Sequence, residues 1–427
     1  MLAPYTRPAE PGSASTELAE RYRQVRARTE ALCGPLSAED CAAQSMPEAS
    51  PAKWHLAHTT WFFETFLLEP YQPGFKPFHE AFRVLFNSYY NGIGEQHPRA
   101  QRGMLTRPGL EEVYSYRGHV DDAVAALLAA GTDPHTGGLV TLGLNHEQQH
   151  QELILMDLKH LLSTNPLDPA YTTPVDPVQG PAAAKQWVRF SEGLRRIGHG
   201  GSDFAYDNES PSHRVFLEAF ELASRPVTCG EFQAFMADGG YQRPELWLDE
   251  GWAAVSANAW QAPQYWRPET GGQWSVFTLS GRRPVNPAEP VTHVSYYEAE
   301  AFARWAAARL PTEFEWEAAL TEANDQPGTF LDAGRCHPAP AGPGGDGLRQ
   351  MQGDVWEWTA SAYLPYPGFQ PAAGAVGEYN GKFMVNQMVL RGGSCATPAD
   401  HIRPTYRNFF PADARWPFTG FRLAQSV

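Results

Sequence analysis

His146 and His150, in the run His146-Glu-Gln-Gln-His150, are the residues of this chain best placed to hold a metal. On a helix four residues turn by ~400°, so both imidazoles leave one face about 6 Å apart along the axis, close enough to share an ion. A second pair lies upstream in Trp54-His55-Leu-Ala-His58. Facing helices assemble metal sites in a bundle core, and a third imidazole from a second helix closes a facial set with positions left for substrate. Spacing does not choose between His55 and His58. The first run also satisfies the His-Glu-x-x-His pattern of zinc proteases, with Glu147 as general base. No downstream His or Glu stands in the second-helix position which that chemistry needs. The remaining histidines lack paired spacing and are expected as surface or satisfied core residues.

The elements that must position these residues read as helices over the first ~165 residues. Thr16 to Leu32 places apolar or small residues at helical spacing between charges. Pro51 to Leu68 starts on a proline suited to a first turn and runs on without a breaker. Leu110 to Ala130 sets Val113, Val120, Val124 and Leu127 at steps of three, four and seven. Leu139 to Leu162 is the strongest pattern, with Leu142, Leu153, Leu155, Leu158 and Leu162 against a polar face. Four such helices predict an antiparallel bundle over residues 1–165. A long excursion, residues 70–108, is rich in Pro, Gly and Tyr, and loops of that length are often functional. Residues 166–187 are proline-rich without periodicity and are expected as a linker. Beyond them, residues 188–427 combine short strands, dense Gly and Pro and concentrated Trp with two short helices at Phe302 to Ala307 and Glu313 to Ala319, an irregular α+β domain.

Composition narrows the partners. Of 427 residues, 42% are hydrophobic and 19% charged, enough for packed cores, and the formal charge of -15 disfavours nucleic acid and anionic membrane. Met1 to Ser15 has no apolar run and is not expected to be a signal peptide. No stretch approaches the ~20 apolar residues of a membrane span. Five scattered cysteines form no CxxC, and a cytoplasmic setting is expected.

Six phrases of the second half occur in order: Asp207-Asn-Glu-Ser-Pro-Ser-His213, Arg225-Pro-Val-Thr-Cys-Gly-Glu231, Arg309-Leu-Pro-Thr-Glu-Phe-Glu-Trp316, Gly353-Asp-Val-Trp-Glu-Trp358, Leu390-Arg-Gly-Gly-Ser394 and Thr419-Gly-Phe-Arg-Leu423. Together they resemble the formylglycine-generating enzyme (sulfatase-modifying) fold, which is related to C-type lectin-like domains. Most are expected as scaffold: Trp356 and Trp358 packing, Gly392 and Gly393 turning, Arg309 pairing with a buried acid. Formylglycine generation itself needs a late cysteine pair, and no cysteine follows Cys395. Trp54-His-Leu-Ala-His-Thr-Thr-Trp-Phe-Phe-Glu64 and Asn145-His-Glu-Gln-Gln-His-Gln-Glu152 resemble a DinB-like four-helix bundle. A DinB-like bundle joined to this α+β domain resembles the iron-dependent sulfoxide synthases of ergothioneine biosynthesis, the EgtB family, over roughly residues 20 to 425.

The resemblance implies Fe(II) on His58, His146 and His150, with O2 as co-substrate. It implies that Gln149 and Asn408 contact hercynine, with Phe409 and Phe410 in the pocket wall, since a quaternary ammonium binds ring faces. One branch of the family uses γ-glutamylcysteine and has Trp-Asp after that asparagine; here Phe409-Phe410 follows. Asn87-Ser-Tyr-Tyr90 resembles instead the branch that accepts free cysteine, which implies catalytic duty for Tyr89 or Tyr90. Arg99 and Arg102, in His97-Pro-Arg-Ala-Gln-Arg102, are then expected to clamp the cysteine carboxylate. The implied product is S-(hercyn-2-yl)-L-cysteine S-oxide. A selenosugar donor is a rival within the same architecture. An ovothiol-type synthase carries an appended methyltransferase domain, which is not expected here. A non-catalytic lectin-like binding protein is the rival of a different class, and oligomeric state is left open.

Overall fold

The computed structural model describes residues 11–173, 178, 180–342 and 347–427. Residues 1–10 of the N-terminal stretch, and 174–177 and 179 of the expected linker, lie outside the described residues. The chain forms two compact units, Met1–Leu158 and Lys159–Val427.

The first unit is built on four long helices: α1 (Pro11–Cys33), α2 (Ala52–Phe63), α3 (Leu110–Ala130) and α4 (Pro134–Ser163), the unit boundary falling inside α4. α3 buries Val113, Tyr116, Val120, Val124 and Leu127, a stripe of threes and fours, and stops where Gly131 takes φ +92°, which glycine adopts without strain. α2 is buried on every side, all 12 residues of it, so it is the central helix. Its Thr60 hydroxyl donates back to the Leu56 carbonyl at 2.9 Å. After Phe63 the helix opens into a π turn, Glu64–Leu68, where an unbroken α-helix was expected. Pro70 supplies the reason: it has no N–H to return to the Phe66 carbonyl, and its ring crowds that carbonyl.

Two contacts decide what α2 can display. A Cβ on Gly143 of α4 would lie 2.5 Å from Cε1 of Phe63 and 3.0 Å from Cε1 of Phe62, so only glycine lets α4 approach α2 this closely, one turn before His146. Gly143→Ala is expected to cost about 1–3 kcal/mol through overpacking against rings that have no room to move. Chemical denaturation checks this, and an unshifted midpoint would show that the helices yield freely. On its other side α2 pins the excursion. Trp54 Nε1, His58 Nδ1 and Trp61 Nε1 donate to the carbonyls of Leu85 (3.3 Å), Phe86 (2.6 Å) and Arg83 (3.1 Å), at the end of the short helix Phe82–Leu85. Those carbonyls are the ones a helix end leaves without intrahelical partners.

The second unit carries small sheets with helices between them. Its largest sheet pairs Trp356–Ala362 antiparallel with Met388–Arg391, which pairs with the edge strand Asn408–Phe410; Thr419–Gly420 runs parallel on the other side. The helices expected near 302 and 313 are Tyr296–Trp305 and Glu313–Glu322; both start at capping boxes, Ser295 with Glu298 and Thr312 with Glu315. The sequence phrases meet as a buried polar scaffold. Arg309 pairs bidentately with Glu315 (2.7 and 2.8 Å). Arg391 reaches Glu317 at 2.6 Å. The Trp316 indole and the Arg422 guanidinium both donate to Glu357, at 2.9 and 2.6 Å. Gly392 takes φ +101°, and a Cβ there would lie 2.3 Å from the Met351 carbonyl oxygen. This domain thus joins its phrases by paired charges, each acid offsetting the desolvation of its arginine. Among the described residues no helix is long and apolar enough to cross a membrane.

Candidate metal centre

His58 comes from α2, and His146 and His150 from one face of α4. One ring nitrogen from each lies within 4.8 Å of the others, and all three side chains are buried. Burial, with His146 beside it, holds His58 well below the usual imidazole range; burial, with His146 and His58 beside it, does the same for His150. Burial pushes His146 down to about 4. Three neutral imidazoles therefore face one another with lone pairs that no proton contests.

The remaining ring nitrogens are already engaged in two cases. His58 Nδ1 donates to the Phe86 carbonyl, leaving Nε2 for the centre. His150 Nδ1 lies 2.8 Å from His55 Nδ1, again leaving Nε2. His146 has a buried Nδ1 with no hydrogen-bond partner. Such an atom costs free energy unless something binds the ring. The donor set fits a divalent metal with nitrogen ligands. His55, the rival third ligand, is instead turned to His150 on one side and to Asp157 Oδ2 (3.1 Å) on the other. The partners of Glu147 argue against its zinc-protease role. It is fully buried and faces away from the imidazoles, between Arg26 (2.9 Å) and Arg117 (3.0 Å). Burial raises its pKa, but the two guanidiniums outweigh that and hold the carboxyl at about 2, so it cannot serve as a base near neutrality.

Aromatic rings wall the centre. Trp54 and Trp61 both stack on His58, with centroids at 4.5 and 5.6 Å, and Phe62 lies 4.9 Å from His146. Tyr90 is buried with its ring against Trp61 and Phe66. Asn87 shapes this corner of the excursion: its amide donates to the Tyr90 carbonyl and its oxygen accepts from the Tyr90 N–H. Tyr89 is half-buried, and its hydroxyl accepts from exposed Arg99 at 2.7 Å. Arg102, 3% exposed, lies with its guanidinium 3.4 Å over Trp54, donates to Ser50 Oγ and Ser88 Oγ, and keeps a buried Nε without a partner. Burial pushes its pKa down to about 9. The excursion thus brings Tyr89, Arg99 and Arg102 together and sets Arg102 and His58 on the same indole, Trp54. Gln149 is half-buried on the turn between His146 and His150 of α4. Asn408, Phe409 and Phe410 form the edge strand of the second unit, where Asn408 Oδ1 accepts from Phe409 N, Phe409 stacks on Tyr363 at 4.1 Å and Phe410 meets Trp416 edge-on at 5.6 Å.

Sequence reasoning missed Asp157, although it follows His150 by seven residues and so shares its helix face. It also missed Gly143 and the backbone carbonyl of Phe86, for which side-chain spacing carries no signal.

Residues 21–154 match the DinB superfamily, and residues 176–340 and 338–427 match the sulfatase-modifying factor enzyme 1-like domain. Hercynine oxygenase of Mycobacterium tuberculosis is 36% identical over 438 residues, covering 96% of this chain and 99% of its own length. Hercynine oxygenase of Mycolicibacterium thermoresistibile is also 36% identical, over 442 residues, covering 96% of this chain and 95% of its own length. A formylglycine-generating enzyme of Mycobacterium tuberculosis is 30% identical over 278 residues, covering 52% of this chain and 92% of its own. The family match spans both halves, the bundle that bears the three histidines and the α+β domain, and with that extent and identity the chain belongs to the hercynine oxygenase family.

Proposed function

We propose that this protein joins hercynine to cysteine with O2, using Fe(II) held by His58, His146 and His150. Hercynine gives up a C–H, cysteine an S–H, and a C–S bond forms; one oxygen atom goes to sulfur as the sulfoxide and the other leaves as water. That removes four electrons from the two substrates, the number that O2 accepts. The observation that carries the reading is the convergence of three buried imidazoles in a chain of this family. Iron bound there supplies oxygen activation and a lowered thiol pKa. The protein's own residues do the rest. Gln149, between two ligands, orients the hercynine imidazole. The stacked Trp54, Trp61 and Phe62 rings keep water from the imidazole faces. A phenol of the pair Tyr89 and Tyr90 holds the proton delivered to the reacting oxygen.

Free cysteine as donor is supported by Arg102. A buried guanidinium whose hydrogen bonds go to two neutral hydroxyls, with its Nε unpaired, is short of an anion. An amino-acid carboxylate supplies one, and Arg99 beside Tyr89 stands at the exposed edge of the same corner. Oxygen consumption with hercynine, comparing cysteine with γ-glutamylcysteine, tests the reading. Turnover with cysteine and formation of the hercynyl-cysteine sulfoxide are expected; turnover with γ-glutamylcysteine alone reassigns the donor, and no turnover with either overturns the reaction.

Three substitutions follow. Arg102→Met should raise KM for cysteine by at least about 30-fold, equivalent to about 2 kcal/mol, while KM for hercynine moves little. An unchanged cysteine KM would place the carboxylate elsewhere. Tyr89→Phe and Tyr90→Phe, made separately, should divert one of the two enzymes from the sulfoxide toward cysteine sulfinate, read by mass spectrometry of products. The same product ratio in both variants as in the wild type would remove the tyrosines from proton delivery.

A further inference from the structure

Among the contacts around the three histidines, one chain of hydrogen bonds has a direction. His55 Nδ1 meets His150 Nδ1 at 2.8 Å, and His55 Nε2 meets Asp157 Oδ2 at 3.1 Å. The same Asp157 oxygen accepts the backbone N–H of Ser50 at 2.7 Å, and Ser50 Oγ in turn accepts from Arg102. Asp157 and His55 are 6% and 2% exposed, so water does not share these contacts freely.

Two facing ring nitrogens make a hydrogen bond only if one carries the proton and the other a lone pair. Asp157 Oδ2 accepts from Ser50, and an ionised carboxylate only accepts, so the proton between Asp157 and His55 belongs to His55 Nε2. A neutral His55 then has its lone pair on Nδ1. The proton of the His150 contact therefore sits on His150 Nδ1, and His150 Nε2 keeps its lone pair. Asp157 could not do this directly: seven residues along α4 separate it from His150, about 10.5 Å of rise. His55, projecting from α2, bridges that gap.

We propose that Asp157, acting through His55, is a positioning pair that holds His150 in its Nδ1–H tautomer and so presents Nε2 to the centre. This rests on the reading of His150 as a metal ligand. It gives His55 a role that explains its place one turn from His58 without making it a fourth ligand. It also ties the corner that bears Arg102 to the centre, through Ser50 and Asp157. Carboxylates behind ligand histidines commonly set tautomer and basicity, and losing them costs 10–100-fold in metal affinity; here a second imidazole is interposed.

The full-length, metal-free protein, labelled with 15N-histidine, tests the tautomer without any metal. The His150 resonances are assigned by their loss in His150→Gln, and long-range 1H–15N correlations distinguish Nδ1–H from Nε2–H. The wild type should show Nδ1–H at His150; Nε2–H there overturns the proposal, whatever the variants do. Asp157→Ala and His55→Leu should each populate Nε2–H and weaken Fe(II) binding, titrated anaerobically, by about 10–100-fold. His55→Gln, whose side-chain oxygen can still accept from His150 Nδ1, should restore Fe(II) affinity to within a few-fold of wild type. Unchanged tautomer and affinity in Asp157→Ala and His55→Leu, or a His55→Gln as weak as His55→Leu, also overturns it. Wild-type protein that shows Nδ1–H at His150 yet binds no Fe(II) sinks the metal reading and leaves the positioning pair standing, so the two failures are told apart.

Discussion

Replacing His146 by alanine is expected to abolish stoichiometric Fe(II) binding, and oxygen consumption with it. The remaining two imidazoles come from different helices, His58 on α2 and His150 on α4, and without His146 they no longer close a facial set. Loss of a group merely behind a ligand costs 10–100-fold in affinity, so loss of a ligand should cost more than about 100-fold. The fold should survive. The buried Nδ1 of His146 has no hydrogen-bond partner, a cost that the alanine removes, partly offsetting the cavity left behind. Anaerobic Fe(II) titration beside thermal unfolding separates the two effects. A His146→Ala variant that still binds one equivalent of iron would remove His146 from the ligand set.

Glu147→Ala should act in the opposite sense, on stability first. Glu147 joins Arg26 of α1 and Arg117 of α3 to α4, and Arg26 also donates to Thr60 of α2 at 3.0 Å and to Asp121 of α3 at 2.7 Å. All four helices meet in this cluster. Removing its central acid leaves Arg117 and Arg26, 0% and 3% exposed, as buried cations with less to pair them. Breaking such a pair costs about 3–5 kcal/mol, a large part of the 5–15 kcal/mol that holds a typical domain folded. Urea or thermal unfolding of the full-length protein reads the loss. A variant as stable as wild type, but without activity, would return Glu147 to the chemistry and revive the zinc-protease pattern that its arginine partners argue against.

Helix periodicity was legible wherever one helix face is buried and the other is wet. α3 runs over Leu110–Ala130, the span its apolar spacing predicts, and α4 extends the predicted 139–162 to Pro134–Ser163. α2 was harder, because a helix buried all round has no polar face to mark its register, and its π turn depends on Pro70 acting on the turn before it. In the second unit spacing places one short helix start at Glu313, where it lies, and ends that helix three residues early; the other, expected at 302–307, starts six residues sooner at Tyr296, behind the Ser295 capping box that apolar spacing does not mark, and stops at Trp305.

At the centre the division is sharper. Spacing alone puts His146 and His150 on one face, because four residues on a helix can do nothing else. The sequence also carried the family, because motifs and spacing persist along both halves of the chain. Spacing leaves His55 and His58 open, the resemblance implies His58, and folding gathers His58 with His146 and His150. His55 and His58 stand one turn apart on one helix, and what separates them is the partner each meets: Phe86 carbonyl for His58, and Asp157 with His150 for His55. Folding turns Glu147 from a possible base into a buried anchor, since Arg26 and Arg117 reach it from other helices. A local pattern specifies which atoms can face one another along an element; which of them hold a proton, a metal or an ion pair is set by groups that folding brings from elsewhere in the chain.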